Sequence, residues 1–135
     1  MTRLRLVLAG IVALVVAAGI GYAMGGSGRF DLQTALDEAR ERLDVAEARG
    51  QLLDARVSLY NVNFGDASRH FEESKPPLRR LRDRYQRLGK NAAANSIGAA
   101  MAHVEEGQRL AGKLDQAANA KANDAMEAIR VAASQ

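Results

Sequence analysis

The chain opens with a stretch that has no polar alternation at all. Leu6 to Met24, LVLAGIVALVVAAGIGYAM, runs nineteen residues without a charge directly after Arg3 and Arg5. At 1.5 Å per helical residue it reaches roughly 28 Å, about the hydrocarbon thickness of a bilayer. The expectation is a single transmembrane anchor over residues 1–25, a Gly/Ser linker over residues 26–30 and a helical interaction domain over residues 31–135. A cleaved secretory signal is the competing reading, with Gly21 and Ala23 as the small residues before Met24. The uncharged run is longer than the roughly 7 to 15 apolar residues of such a signal, which favours the anchor.

Beyond the linker the apolar positions take up helical spacing. Leu32, Leu36, Ala39, Leu43, Ala46, Gly50, Leu53, Val57, Tyr60 and Phe64 follow one another in steps of four and three, a heptad seam whose weak point is Gly50. With Leu36, Leu43, Gly50 and Val57 at the a positions, Arg42 and Arg49 fall at g, and Glu47 and Asp54 at e. A parallel dimer would then pair Arg42 with Glu47 and Arg49 with Asp54 of the partner copy. The same stripe can instead pack on the chain's own later helices, and that is the expectation adopted. Asn61-Val62-Asn63 interrupts the helix, with Asn63 as N-cap of the next and Asp66 placed to support it. Pro76-Pro77 predicts a stop, with a further helical piece from Leu78 to Leu88. From Asn91 onward the chain is alanine-rich, with Ile97, Met101, Val104, Leu110, Leu114, Met126 and Ile129 as apolar contacts. Its small side chains, Gly107, Gly112 and the Asn residues predict helices that pack closely but weakly there. The fold class is therefore all-α: one N-terminal transmembrane helix and a small bundle of three or four helices outside the membrane.

An internal repeat refines that picture. At an offset of 33 residues GDASRHFEES, Gly65 to Ser74, overlies GAAMAHVEEG, Gly98 to Gly107, with five of ten positions identical. Phe64, Ala67, Phe71 and Ser74, followed by Pro77, together with the looser set Ile97, Ala100, Val104 and Gly107, resemble the second helix of a tetratricopeptide repeat. Tyr85-Gln86-Arg87-Leu88-Gly89 is similar to the opening of such a repeat's first helix, whereas Gln51, Asp54 and Ala55 depart from it. The resemblance implies helical hairpins that bind a protein partner, with Phe64, Ala67 and Phe71 as interaction residues.

Charge changes the picture at one place. The net charge is +3, yet Lys75 to Lys90 holds seven basic residues and one acid, while Asp31 to Ser74 holds ten acids and five basic residues. Arg79, Arg80, Arg82, Arg84 and Arg87 thus form a basic helix, a candidate site for anionic lipid or another polyanion. Nucleic acid is not expected as a partner, because Tyr85 is the one aromatic residue interleaved there. The alternative is a solvated face answering the acidic helix nearby.

The candidate chemistry is thin. His70 and Glu73, and again His103 and Glu106, have the i, i+3 spacing of helical metal ligands, with Asp66 as a further donor. Solvated histidines beside helix-neighbour carboxylates explain them as well, and neither a metal nor a cofactor is expected. The chain contains no cysteine, which removes disulfides, thiolate ligands and cysteine nucleophiles together. With no phosphate loop, nucleophile elbow or zinc motif, no enzyme and no small-molecule substrate is expected. Arg3 and Arg5 predict a cytoplasmic N-terminus in a bacterial inner membrane, with the helical domain outside the cytoplasm. The small residues Ala9, Ala13, Ala17, Gly21 and Gly25, one at every fourth position, give the anchor a packing face. The expected function is a single-pass, non-enzymatic subunit that tethers to or scaffolds a larger integral membrane protein complex. A homodimer through the heptad seam and a polyanion binder through residues 75–90 are the alternatives.

Overall fold

In a computed structural model the chain is described from Asp31 to Gln135 with its side chains, and over residues 2–30 by the helical backbone of α1 alone. The Leu6–Met24 run, the Ala9–Gly25 packing face and the residue 26–30 linker therefore lie outside the residues whose side chains are described. The elements are α1 (Thr2–Tyr60), α2 (Phe64–Arg87), α3 (Asn91–Gly112) and α4 (Ala118–Ala133). The chain divides into two compact units, Met1–Ala39 and Arg40–Gln135, and the second carries an all-α bundle.

Within that unit each helix lies against the next in the opposite direction. Gln51 meets His70 and Glu41 meets Tyr85, so α2 climbs back along α1. Lys75 reaches Gln108 on α3, and His103 of α3 faces Asp124 on α4. The ring is closed by Arg56 Nε, which donates to Asn119 Oδ1 at 2.8 Å, and by Gln116 Nε2, which donates to the Leu59 carbonyl at 2.9 Å. The result is an up-down-up-down four-helix bundle around one core.

Small side chains set how closely these helices approach. Eleven of the twenty buried hydrophobic residues among the described residues are alanine, and the larger ones (Leu52, Leu59, Phe71, Leu78, Leu81, Tyr85, Ile97, Val104, Ile129) fill the space between them. Gly107 is the closest approach. A Cβ built there would stand 2.6 Å from Phe71 Cε1 and 3.3 Å from Lys121 Cβ, so its missing side chain lets α2 and α4 both meet α3. Gly107 is thus a position of close packing between helices.

The turns are built alike. After α1, α2 and α3 the residues Val62, Gly89 and Leu114 adopt left-handed φ values of 59°, 69° and 59°. Each is followed by the same paired backbone bonds: Asn63 N to Ser58 O, Lys90 N to Tyr85 O and Asp115 N to Leu110 O close the 6→1 rings. Glycine adopts this conformation freely, whereas Val62 and Leu114 do so at a cost of about 1 to 2 kcal/mol each. Asn63 caps α2 as its spacing predicted, its Oδ1 accepting from Asp66 N at 3.2 Å.

Two expectations are corrected and a third finds no counterpart. Pro76 and Pro77 lie inside α2, and the helix continues to Arg87 instead of stopping. A proline inside a helix costs about 3 kcal/mol, and the continuation recovers more by burying Leu78, Leu81 and Tyr85. The Ser74 hydroxyl donates to the Phe71 carbonyl at 2.8 Å in the turn before the prolines. The heptad stripe of α1 does not pack on the chain's own helices: Asp44, Ala48, Leu52, Ala55 and Leu59 do. Finally, the two copies of the 33-residue offset fall on consecutive helices, α2 and α3, giving one helix per period where a hairpin repeat has two. Among the described residues no tetratricopeptide-like repeat is identified.

Candidate interaction surface

The residues singled out by sequence separate into three groups. The first is buried. Ala67 and Phe71 are fully enclosed in the core and Phe64 is half-buried against it, so the surface role the hairpin resemblance implied for them is corrected to a role in the chain's own packing. Their helical spacing marked an apolar face correctly, but that face is turned inward.

The second group is the basic helix. Arg80 donates from Nε to Asp44 Oδ1 at 2.7 Å and from Nη2 to Glu47 Oε2 at 2.6 Å. Its pKa is pushed further above the ordinary guanidinium value, chiefly by the bond to Asp44. Arg84 Nη1 is buried 3.1 Å from Asp44 Oδ2 without hydrogen-bond alignment. Asp44, almost fully buried on α1, therefore faces two guanidinium groups. Beside them the Tyr85 hydroxyl donates to Glu41 Oε1 at 2.8 Å, and burial together with that bond pushes the phenol's pKa up. Arg82 is half-buried, its Nε enclosed and 4.0 Å from Asp83, while Arg79 and Arg87 are exposed. The basic helix is thus in part a clamp on α1: its charge answers the acids of α1, which dilutes its capacity for an external polyanion.

The histidines do not converge. His70 Nδ1 lies 2.8 Å from Gln51 Oε1 and 3.4 Å from Glu73 Oε2, which ties α2 to α1. His103 faces Asp124 at 3.9 Å across α3 and α4. Asp66 is engaged by Arg69 and Asn63, and its carboxyl is held below the usual range chiefly by Arg69. Among the described residues no cluster of three or more His, Asp or Glu is arranged to hold a metal ion.

The third group is the heptad stripe, and it forms the candidate site. Leu43, Leu53, Val57 and Tyr60 are 65, 49, 59 and 84 % exposed. They occupy the a and d positions of α1, whereas the bundle-facing Asp44, Ala48, Leu52, Ala55 and Leu59 occupy b, c and f. The helix is therefore apolar on two opposite faces, and only one of them is used by the bundle. A hollow of about 550 Å³ runs beside the outer face, floored by Val45, Ala46, Gly50 and Leu53, rimmed by Glu41, Arg42 and Arg49, and bounded by Ala133 of α4. A smaller one continues it past Arg56, Val57 and Tyr60 to Asn119. An apolar strip with a charged margin suits an amphipathic partner helix. In the other unit Leu32 and Leu36 are exposed as well.

Compared with models of protein families, with curated proteins and with solved structures, the chain matches none. Among the described residues no helix is long and apolar enough to cross a membrane.

Proposed function

We propose that this chain is a non-enzymatic, membrane-anchored interaction subunit that tethers to or scaffolds a larger membrane protein complex. Leu6–Met24 is the anchor, and the four-helix bundle stands outside the cytoplasm. The observation that carries the reading is the outer face of α1, where Leu43, Leu53, Val57 and Tyr60 remain exposed on a bundle whose own core is complete. Scattered apolar residues on a surface need no explanation, but an aligned row of them beside a continuous hollow marks a binding face. The uncharged length of residues 6–24 supports the anchor, and Arg3 and Arg5 support the orientation.

Gentle detergent extraction of native membranes, followed by native separation and identification of what travels with the chain, tests this function. The chain is expected in the membrane fraction and in a species larger than itself. Recovery as a lone monomer would refute the subunit reading, and recovery outside the membrane fraction would refute the anchor.

A further inference from the structure

We infer that the α2–α3 turn, with the outer side of α2 leading into it, is a docking surface for an anionic phospholipid bilayer, Arg79, Arg82, Arg87 and Lys90 meeting the headgroups and Leu88 entering among them. This goes beyond the proposed function and rests on its membrane anchor only for the choice of lipid over other anions.

The clamp on α1 divides the basic helix in two. Arg80 and Arg84 turn to Asp44 and Glu47 and are neutralised inside the bundle. Arg79 and Arg87 are exposed and make no ion pair among the described residues. Glu72 feels Arg79 through space, but its carboxylate is held by Lys75 at 2.5 Å. Arg82 is half-buried, 4.0 Å from Asp83. Lys90 is exposed, its ammonium 5.7 Å from the centre of the Tyr85 ring, a contact that leaves its charge uncancelled. These four cations stand against one acid, Asp83. From Gln86 to Val104 the sequence holds no acid, so neither the turn nor the first fourteen residues of α3 offset them. Glu41, the acid of α1 that packs here, is half-buried and accepts from Tyr85.

An apolar residue stands at the tip of this charge. Leu88 is the C-cap of α2 and is 61 % exposed, with Arg87 before it and Gly89 and Lys90 after it. Gly89, at a left-handed φ of 69°, turns the chain there and leaves Leu88 at the end of the hairpin. A soluble polyanion offers such a side chain nothing, whereas the headgroup region of a bilayer takes an apolar side chain together with its basic neighbours. The place of the tip in the bundle argues the same way. The bundle unit begins at Arg40, and the Tyr85 hydroxyl donates to Glu41 Oε1 at 2.8 Å, so the α2–α3 turn lies at the end of the bundle where α1 enters it. Only residues 25–39 separate that entry from the Leu6–Met24 run, at most about 50 Å of fully extended chain. The opposite end carries mixed charge, with Asp66, Arg69, Lys113 and Asp115 around its two turns. Uncancelled positive charge, an exposed apolar tip and a short tether thus coincide at one end, and an anionic bilayer answers all three.

The test uses the full-length chain reconstituted into vesicles of phosphatidylcholine alone or of phosphatidylcholine with phosphatidylglycerol, each carrying some nitroxide-labelled headgroups. The absence of native cysteine lets one introduced thiol carry an environment-sensitive fluorophore. Asn91→Cys is exposed beside the turn, and Leu114→Cys, exposed in the α3–α4 turn at the other end, is the control. The probe at residue 91 is expected to shift to the blue and to be quenched by the headgroup nitroxides in the phosphatidylglycerol vesicles only, and the probe at residue 114 in neither. Each basic residue near an anionic surface is worth about fivefold, so in the Asn91→Cys background Arg87→Gln with Lys90→Gln should lower the ratio of docked to undocked bundles about 25-fold. Leu88→Gln should lower it about tenfold. Molar salt should undock the chain without either set of substitutions. The substituted side chains are exposed, and unchanged helical circular dichroism checks the folding of each variant.

The inference is overturned if the probe at residue 91 is quenched in neither composition or equally in both, if residue 114 is quenched as strongly, or if salt and the substitutions leave the quenching unchanged. Release by millimolar inorganic phosphate at constant ionic strength overturns it as well, by assigning the cations to a discrete phosphate site. Flotation with neutral vesicles and no quenching at residue 91 in either composition removes this inference and leaves the anchor standing. Flotation with anionic vesicles alone, reversed by molar salt and accompanied by quenching at residue 91, removes the anchor and supports this inference.

Discussion

Replacing either of two glycines on α3 by alanine should move stability in opposite directions. Alanine is favoured over glycine in a helix interior by about 1 kcal/mol, so at a site with free space the substitution stabilises. Gly98 is such a site, with nothing within 4 Å of an added Cβ. At Gly107 the same methyl group would stand 2.6 Å from Phe71 Cε1, 2.7 Å from Cζ and 3.3 Å from Lys121 Cβ. Carbon atoms sit comfortably at about 3.5 to 4.0 Å, so the ring must retreat by about 1 Å. Phe71 is fully enclosed and has no solvent to retreat into. Overpacking of this kind costs about 1 to 3 kcal/mol, and more where a rigid ring is trapped, so after the propensity gain Gly107→Ala should destabilise by about 2 kcal/mol. For a domain of this size each kcal/mol is worth roughly 4 to 8 °C in midpoint. Thermal melts followed by far-UV circular dichroism should show Gly98→Ala rising by about 5 °C and Gly107→Ala falling by about 10 °C. Phe71→Leu should tolerate the alanine better than the wild-type ring does, giving a favourable coupling of more than about 0.5 kcal/mol in the double variant. A Gly107→Ala chain as stable as Gly98→Ala would refute the account of helix approach given above.

The ionic clamp and the buried phenol give two further expectations. Asp44→Ala leaves the Arg80 and Arg84 guanidinium groups facing α1 without their shared carboxylate, and should cost about 3 kcal/mol, the lower end for a broken buried pair because Arg80 is partly exposed; a loss below about 0.5 kcal/mol in urea unfolding would count against the clamp. Tyr85→Phe removes the hydrogen bond to Glu41 and should cost about 1 kcal/mol near neutral pH. Because the folded pKa lies above the ordinary 10.0, the contribution of Tyr85 is fully present below pH 10.0 and is lost as pH rises through the folded value. The difference between the two chains should therefore shrink in alkali, and a difference that grew with pH would contradict it.

The sequence carried the helix boundaries better than it carried the faces. The break at Asn61-Val62-Asn63, the cap at Asn63 and the glycine turn after α2 follow local rules, and the structure obeys them. The left-handed residue of the first turn is nevertheless Val62, although two asparagines suited to that conformation flank it, because the cap at Asn63 fixes the register of the turn. Pro76-Pro77 was misleading for the opposite reason: the local penalty is real, and the packing of Leu78, Leu81 and Tyr85 beyond it is larger. On α1 the bulky residues drew attention to one stripe, while the bundle used the face of Ala48 and Ala55, whose small size is what permits close packing. A reading weighted by side-chain bulk inverts such a helix. The charge block of residues 75–90 was plain, but the arginines that turn inward are set by the height of Asp44 on α1, which no local pattern encodes.

The closure of the ring also orders events in time. Arg56 reaches Asn119 across 63 positions of sequence and Gln116 reaches the Leu59 carbonyl across 57, so α1 receives one of its neighbours from the helix of the bundle furthest from it in sequence. Until α4 emerges, Leu52, Ala55 and Leu59 have an incomplete cover. Contacts this distant slow the search for the native state. A nascent α1 therefore offers two sticky sides to its surroundings, and a truncation anywhere before residue 119 should leave it a client of chaperones instead of a finished bundle.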